Sequence, residues 1–175
     1  MNTSNIPAHA DALSFNGLGI APEILTILDN LKLASPTPIQ YQAIPSAIER
    51  KDVVGIAQTG TGKTLAFGIP LVQRLNQSRG RALVLLPTRE LALQVYESIG
   101  AFARPLGLRG AVLIGGANMG PQISDLRRNP NIIIATPGRL IDHLSQRTVQ
   151  LNDIEILVLD EADRMLDMGF WPQIK

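Results

Sequence analysis

The chain alternates between short, uninterrupted apolar runs and longer stretches in which apolar residues return every three or four positions. The runs fall at 53–56, 82–86, 111–114, 132–135 and 156–159. Short runs that are apolar throughout predict strands buried on both faces. Helical spacing is clearest over 63–75, 90–102 and 139–144. An earlier stretch, 21–33, carries Ile24, Leu25, Ile27, Leu28 and Leu31 behind Pro22, which also predicts a helix. Pro36, Pro38 and Pro45 come next and are expected to close it. Strand and helix in alternation predict an α/β fold, a mainly parallel sheet with helices on both faces.

The residues just after each run carry the chemistry, because ligands of open α/β sheets bind at the carboxyl ends of the strands. After Ile56 comes Ala57-Gln58-Thr59-Gly60-Thr61-Gly62-Lys63-Thr64; after Leu86, Pro87-Thr88-Arg89-Glu90; after Ile114, Gly115-Gly116; after Ala135, Thr136-Pro137-Gly138-Arg139; and after Leu159, Asp160-Glu161-Ala162-Asp163. The first of these reads as a phosphate cradle at a strand-to-helix junction. Gly60 and Gly62 allow the backbone to curl so that amides, with those of Thr59 and Thr61, face phosphate oxygens, and the helix opening near Lys63 adds its positive end. Lys63 brings a full charge to the β/γ phosphates and Thr64 a hydroxyl for Mg²⁺. Ala57 stands where the strict G-x-x-x-x-G-K-[ST] pattern has its first glycine.

Asp160, at a strand end facing Thr64, completes a Mg²⁺ site reached largely through water, and Glu161 beside it would orient and deprotonate an attacking water. The other motifs have two readings. Thr88 and Thr136 suit helix N-caps, Pro137 a first turn, and Asp160 with Asp163 a cap. Capping leaves unexplained why Arg89 and Arg139 recur at the same place. Helix N-termini with an arginine nearby also suit the phosphates of a nucleic-acid strand, held without reading its bases.

Bulk properties narrow the picture. With 175 residues, 45% of them hydrophobic, one sizeable core and one domain are expected, preceded by a polar leader at 1–14. A net charge of +1 gives no global field, so nucleic-acid binding must come from local groups. The absence of cysteine excludes a disulfide framework and thiolate metal sites. No basic-then-apolar leader and no run of 18 apolar residues occurs, so the protein is expected to be soluble and cytoplasmic, without a membrane partner. His9 and His143 read as surface or packing residues, and Trp171 as a packing anchor.

With Lys63 and Asp160-Glu161-Ala162-Asp163 in place, the chain from about Phe15 onward resembles the first RecA-like domain of a DEAD-box RNA helicase. The resemblance implies a RecA-like P-loop fold over 15–175, with ATP and Mg²⁺ as cofactors. Ser35-Pro36-Thr37-Pro38-Ile39-Gln40 resembles the family's adenine-recognition motif, and the amide of Gln40 can both donate to and accept from an adenine edge. Phe15 lies where the family places an aromatic that packs on the base. Pro87, Thr88 and Arg89, Gly115 and Gly116, and Thr136, Pro137, Gly138 and Arg139 match its RNA-backbone motifs, which implies sequence-independent contact with single-stranded or duplex RNA. Asp163, by the same resemblance, links nucleotide state to the rest of the enzyme.

Lys32-Leu33 stands where the family usually has Gly-Phe, which implies a weaker apolar contact near the adenine. The residues stop before the family's Ser-Ala-Thr motif and second RecA-like domain, which carries arginines that complete hydrolysis. A central strand between 53–56 and 156–159 is therefore expected to be missing, leaving the two segments to pair directly, to frame a gap or to borrow a strand. The leading functional expectation is the ATP- and RNA-binding half of an RNA-dependent ATPase that separates short duplexes. Its rivals are a nucleotide- and RNA-binding module without turnover and a DNA translocase, the last disfavoured by the adenine motif and the Asp-Glu-Ala-Asp box.

Overall fold

The computed structural model describes residues 13–58 and 60–170; most of the expected leader, Thr59 and Trp171 lie outside them. Four strands, β1 (Arg81–Leu85), β2 (Gly110–Leu113), β3 (Ile132–Ala135) and β4 (Ile154–Leu159), run parallel in the order β2-β3-β1-β4. The helices are α1 (Pro22–Asn30), α2 (Pro38–Ile48), α3 (Lys63–Gln77), α4 (Arg89–Ala103), α5 (Met119–Arg127), α6 (Pro137–Ser145) and α7 (Ala162–Asp167).

Alternate residues of the apolar strands feed two cores, because successive side chains leave opposite faces. Ala82, Val84, Ile132 and Ile134 pack with Ile24, Ile69, Val95 and Phe102 on the face covered by α1, α3 and α4. Leu83, Leu85, Leu113 and Ile133 pack with Leu126, Leu140 and Met165 of α5, α6 and α7 on the other. Both faces are therefore buried along β1 and β3, whereas the expectation fails for the 156–159 run: β4 is an edge strand that leaves Leu157 58% and Leu159 40% exposed.

Two local expectations are corrected. The prolines after α1 do not end the helical region but open α2: Pro38 sits in the first turn, where a missing N–H costs nothing, and Pro45 inside the helix is tolerated because α2 packs along α3 with Ile44 fully buried. The run at 53–56, expected as a strand, is not one. Val54 is 91% and Ile56 95% exposed. Strand character needs a neighbour's backbone as well as a suitable composition, and this run has none. Across from it lies β4, the sheet edge, and between them is an open cavity of about 300 Å³ lined by Val53, Gly55, Ile156, Leu157 and Val158. The two segments do not pair directly, and a gap lies between them.

Candidate functional site

The loops after all four strands and the loop before α3 reach the same sheet edge. Backbone conformation builds the phosphate cradle: Gly60 (φ 83°) and Gly62 (φ 90°) are left-handed, and α3 begins at Lys63. The hydroxyl of Thr61 donates to the Gln58 carbonyl at 2.6 Å, closing the turn. Thr64 is the second residue of α3. An open cavity of about 520 Å³ lies over this turn, lined by Ala57, Gln58, Lys63, Glu161, Asp163 and Arg164. Left-handed glycines, a helix N-terminus and a lysine are what a polyphosphate needs, and the residues present fit it.

Asp160 lies at the end of β4. Burial pushes its carboxyl up from the usual carboxylate range, the Lys63 cation pulls it back, and Glu161 adds to the upward push. Its Oδ1 accepts from the Glu161 amide at 3.1 Å, and among the described residues it has no ion-pair partner. A desolvated carboxylate without an ion-pair partner suits a cation. Among the described residues no group of three or more acidic or histidine side chains could hold a metal. A cation here would keep most of its water, which suits Mg²⁺.

Glu161 occupies left-handed backbone (φ 53°, ψ 47°) as the N-cap of α7, a conformation that costs a non-glycine residue energy and is found at functional sites. Its carboxylate pairs with Arg164 Nη1 at 3.2 Å. Arg164 was not among the sequence candidates; its i,i+3 spacing from Glu161 on a short helix was the available signal.

Two predicted nucleotide residues face inward. Gln40 is 3% exposed and uses both ends of its amide within the chain: Oε1 accepts from the Thr37 amide at 2.9 Å, and Nε2 donates to the Gly62 carbonyl at 3.0 Å. It thus ties the cradle to the start of α2. A Cβ on Gly62 would collide with Gln40 Nε2, so this approach demands glycine. The nearby Thr37 hydroxyl is buried without a hydrogen-bond partner. Phe15 is 5% exposed and belongs to the core with Leu18 and Ile20; its burial comes from packing partners distant in sequence, which the aromatic's position alone does not reveal.

The other half of the edge gathers the remaining motifs. Thr88 Oγ1 caps α4 by accepting from the Leu91 amide at 3.3 Å, so the capping reading holds for it. Thr136 and Pro137 are buried at the start of α6, while Gly138 and Gly116 are exposed. Gly116 is left-handed (φ 70°), and a Cβ there would strike the Arg89 guanidinium. Arg139 turns inward: Nη1 donates to the Ala117 carbonyl at 3.0 Å, and Nε lies 3.3 Å from Asp142. The loop of Gly115 and Gly116 therefore sits between two arginines, one exposed and one engaged in holding it.

His143, which read as a surface or packing residue, is fully buried and hydrogen-bonded, with Nδ1 2.8 Å from Thr148 Oγ1 and Nε2 3.1 Å from Gln122 Oε1. Burial pushes its imidazole down from the ordinary histidine value; Arg139 adds to this and Asp142 opposes it.

The DEAD/DEAH box helicase family model matches residues 37–175. The ATP-dependent rRNA helicase RRP3 of Debaryomyces hansenii is 48% identical over 164 residues, which cover 92% of this chain and 34% of that protein. The DEAD-box ATP-dependent RNA helicase CshA of Bacillus subtilis is 44% identical over 93% of this chain and 33% of its own length. Among solved structures, a DEAD box protein from the hyperthermophile Methanococcus jannaschii superposes with a TM-score of 0.86 at 39% identity, over 93% of this chain and 45% of that one. The chain thus spans about a third of the length of the curated relatives it matches. The four-stranded parallel sheet, the phosphate cradle and these matches together show that the chain belongs to the DEAD/DEAH box helicase family and carries its RecA-like fold.

Proposed function

We propose that the chain is the ATP- and RNA-binding unit of a cytoplasmic RNA helicase, which couples ATP hydrolysis to the separation of short RNA duplexes. The observation that carries the reading is the meeting of the Lys63 cradle and the Asp160–Glu161 pair with the glycine-bearing loops at one sheet edge. In this reading Lys63 and the amides around Gly60 to Thr64 hold the β/γ phosphates, while Thr64 and Asp160 hold Mg²⁺ largely through water. The ion supplies charge neutralisation on the phosphates. Glu161 takes the proton of the attacking water, with Arg164 keeping its carboxylate in place, and Asp163 passes nucleotide state onward. Gln40 reaches adenine by exchanging its bonds to Thr37 and Gly62. Arg89, Thr88, Gly115, Gly116 and the start of α6 contact RNA phosphates and sugars without reading bases.

A second reading, that this polypeptide alone binds without turnover, is favoured by the unpaired 53–56 run that leads into the cradle. Calorimetric titration with ADP and GDP, beside an RNA-stimulated ATPase assay, tests both. ADP should bind in preference to GDP, with turnover roughly 10³ to 10⁵ below that of enzymes supplied with the completing arginines. Equal affinity for the two nucleotides overturns the adenine reading, and turnover at ordinary helicase rates overturns the second. RNA affinity should be weak, fall with salt and ignore sequence; a strong base preference counts against backbone contact.

A further inference from the structure

A buried polar network links α5 to α6, apart from every group assigned to ATP hydrolysis. Gln122 is 6% and His143 0% exposed. The Gln122 amide nitrogen donates to the Ile114 carbonyl at 3.1 Å and to the Asn118 carbonyl at 3.3 Å. It therefore clips the Gly115–Gly116 loop at both of its ends. With the NH₂ facing two carbonyls, the atom facing His143 must be Oε1, and an acceptor there requires His143 Nε2 to carry a hydrogen. In neutral imidazole Nδ1 is then the acceptor toward the Thr148 hydroxyl at 2.8 Å, sharing that hydrogen with the His143 carbonyl 3.0 Å from the same oxygen. Thr148 in turn is anchored at the end of α6, its amide donating to the His143 carbonyl at 2.9 Å. A chain of bonds thus runs from both ends of the 114–118 loop through Gln122 and His143 into α6. The N-terminus of α6 carries Thr136 to Arg139, and Arg139 bonds back to Ala117.

We propose that Gln122 and His143 are positioning residues which lock the 114–118 loop and the 136–139 turn into one rigid surface, so that both meet an RNA backbone in fixed register. The proposal rests on the reading of these two loops as RNA contacts. An isolated hydrogen-bonded pair would serve packing alone. This network instead spends its donors on the carbonyls that bracket the glycines, which have no side chains of their own to fix their course. Arg139 closes the same ring from the outside, and its charge near the imidazole favours the neutral tautomer that the network needs.

The test compares the full 175-residue chain with its Gln122→Ala, His143→Leu and His143→Gln variants by amide hydrogen exchange, and measures affinity for a uridine decamer and for ADP. Glutamine places an amide nitrogen near the Nε2 position, so His143→Gln keeps the donor to Gln122, whereas leucine keeps only the volume. Exchange at Gly115 to Ala117 and at Gly138 and Arg139 should quicken together by about ten-fold in Gln122→Ala and His143→Leu, and should return toward wild type in His143→Gln. Affinity for the decamer should fall about three- to ten-fold in the first two variants, with ADP affinity unchanged. A nitrogen-15 spectrum should show the proton of His143 on Nε2.

Quickening at one loop only, quickening everywhere in the molecule, or decamer affinity indifferent to both disruptive variants would overturn the proposal. If the two loops quicken together but the wild-type chain does not bind the decamer at low salt, the RNA reading fails and the mechanical lock stands.

Discussion

The two halves of the ligand edge are built to different standards of order. On the half formed by β2 and β3, strands are paired and the loops are closed by Gln122, His143 and Arg139. On the cradle half, β4 is an edge strand as β2 is, but the run leading into the cradle is unpaired and stands in solvent across a cavity of about 300 Å³. Since both halves end in an edge strand, the difference lies in the side-chain bonds that hold the 114–118 loop and in the unpaired lead-in to the cradle. The half that carries 114–118 and 136–139 is held by its own side chains, while the cradle depends on Gln40, which bridges it to α2.

This contrast can be broken most forcefully by truncating equivalent residues on its two sides. Ile134, 1% exposed in the sheet's core, should lose about 2–5 kcal/mol of stability when replaced by alanine. Ile56→Ala should change stability by less than about 0.5 kcal/mol. Urea unfolding of both variants decides the matter, and comparable losses would mean that 53–56 is paired in solution.

Next in size is the cradle lysine. Lys63→Ala removes a charged donor to phosphate and should weaken ADP binding roughly 10- to 100-fold. Decamer binding at low salt should be untouched if it uses the 114–118 and 136–139 loops as proposed, since those are held without the cradle. Loss of both affinities would join the halves that the structure keeps apart.

Asp160 allows a finer test through pH. Burial, the largest influence, raises its folded-state value above the ordinary carboxylate range. The folded chain therefore keeps a proton that the unfolded chain has already released. The stability this contributes is present at acid pH and is lost as pH rises through the raised value. A bound cation competes with that proton, so the Mg²⁺-dependent part of ADP affinity should rise over the same window and level off above it. Asp160→Asn should flatten the profile; an unchanged slope would remove Asp160 from the cation site.

The smallest effect concerns the end of α1 and separates backbone strain from ligand contact. Lys32 closes α1 in left-handed backbone (φ 58°), at a position where the family usually has glycine. Lys32→Gly should raise stability by about 0.5–1 kcal/mol in thermal melts while leaving ADP and decamer affinities alone. A change in either affinity would show that the end of α1 communicates with the edge.

Much of this arrangement was legible in the residues. The run at 132–135 became β3 without a shift, and α3 starts at the predicted lysine. Helix α5 escaped detection because it buries only Gln122 and Leu126 and carries a proline in its first turn, so it shows no clear apolar stripe. Gln122 and His143 escaped for a related reason: each looks ordinary in its own segment, and their significance arises where α5 and α6 meet.

The sequence by itself determined what depends on near neighbours along the chain. Left-handed turns at Gly60 and Gly62, the proline-led starts of α1, α2 and α6, and strands without polar alternation all stem from local sterics and spacing. Tertiary structure alone decided whether 53–56 would be a strand and whether Phe15, Gln40 and Arg139 would face ligand or core. It also decided that His143 would be a buried bridge between Gln122 and Thr148. Pairing, burial and hydrogen-bond partners are sums over groups brought together from distant segments. Gln122 and His143 are separated by 21 positions, and Gln40 and Gly62 by 22, so no local window contains either contact.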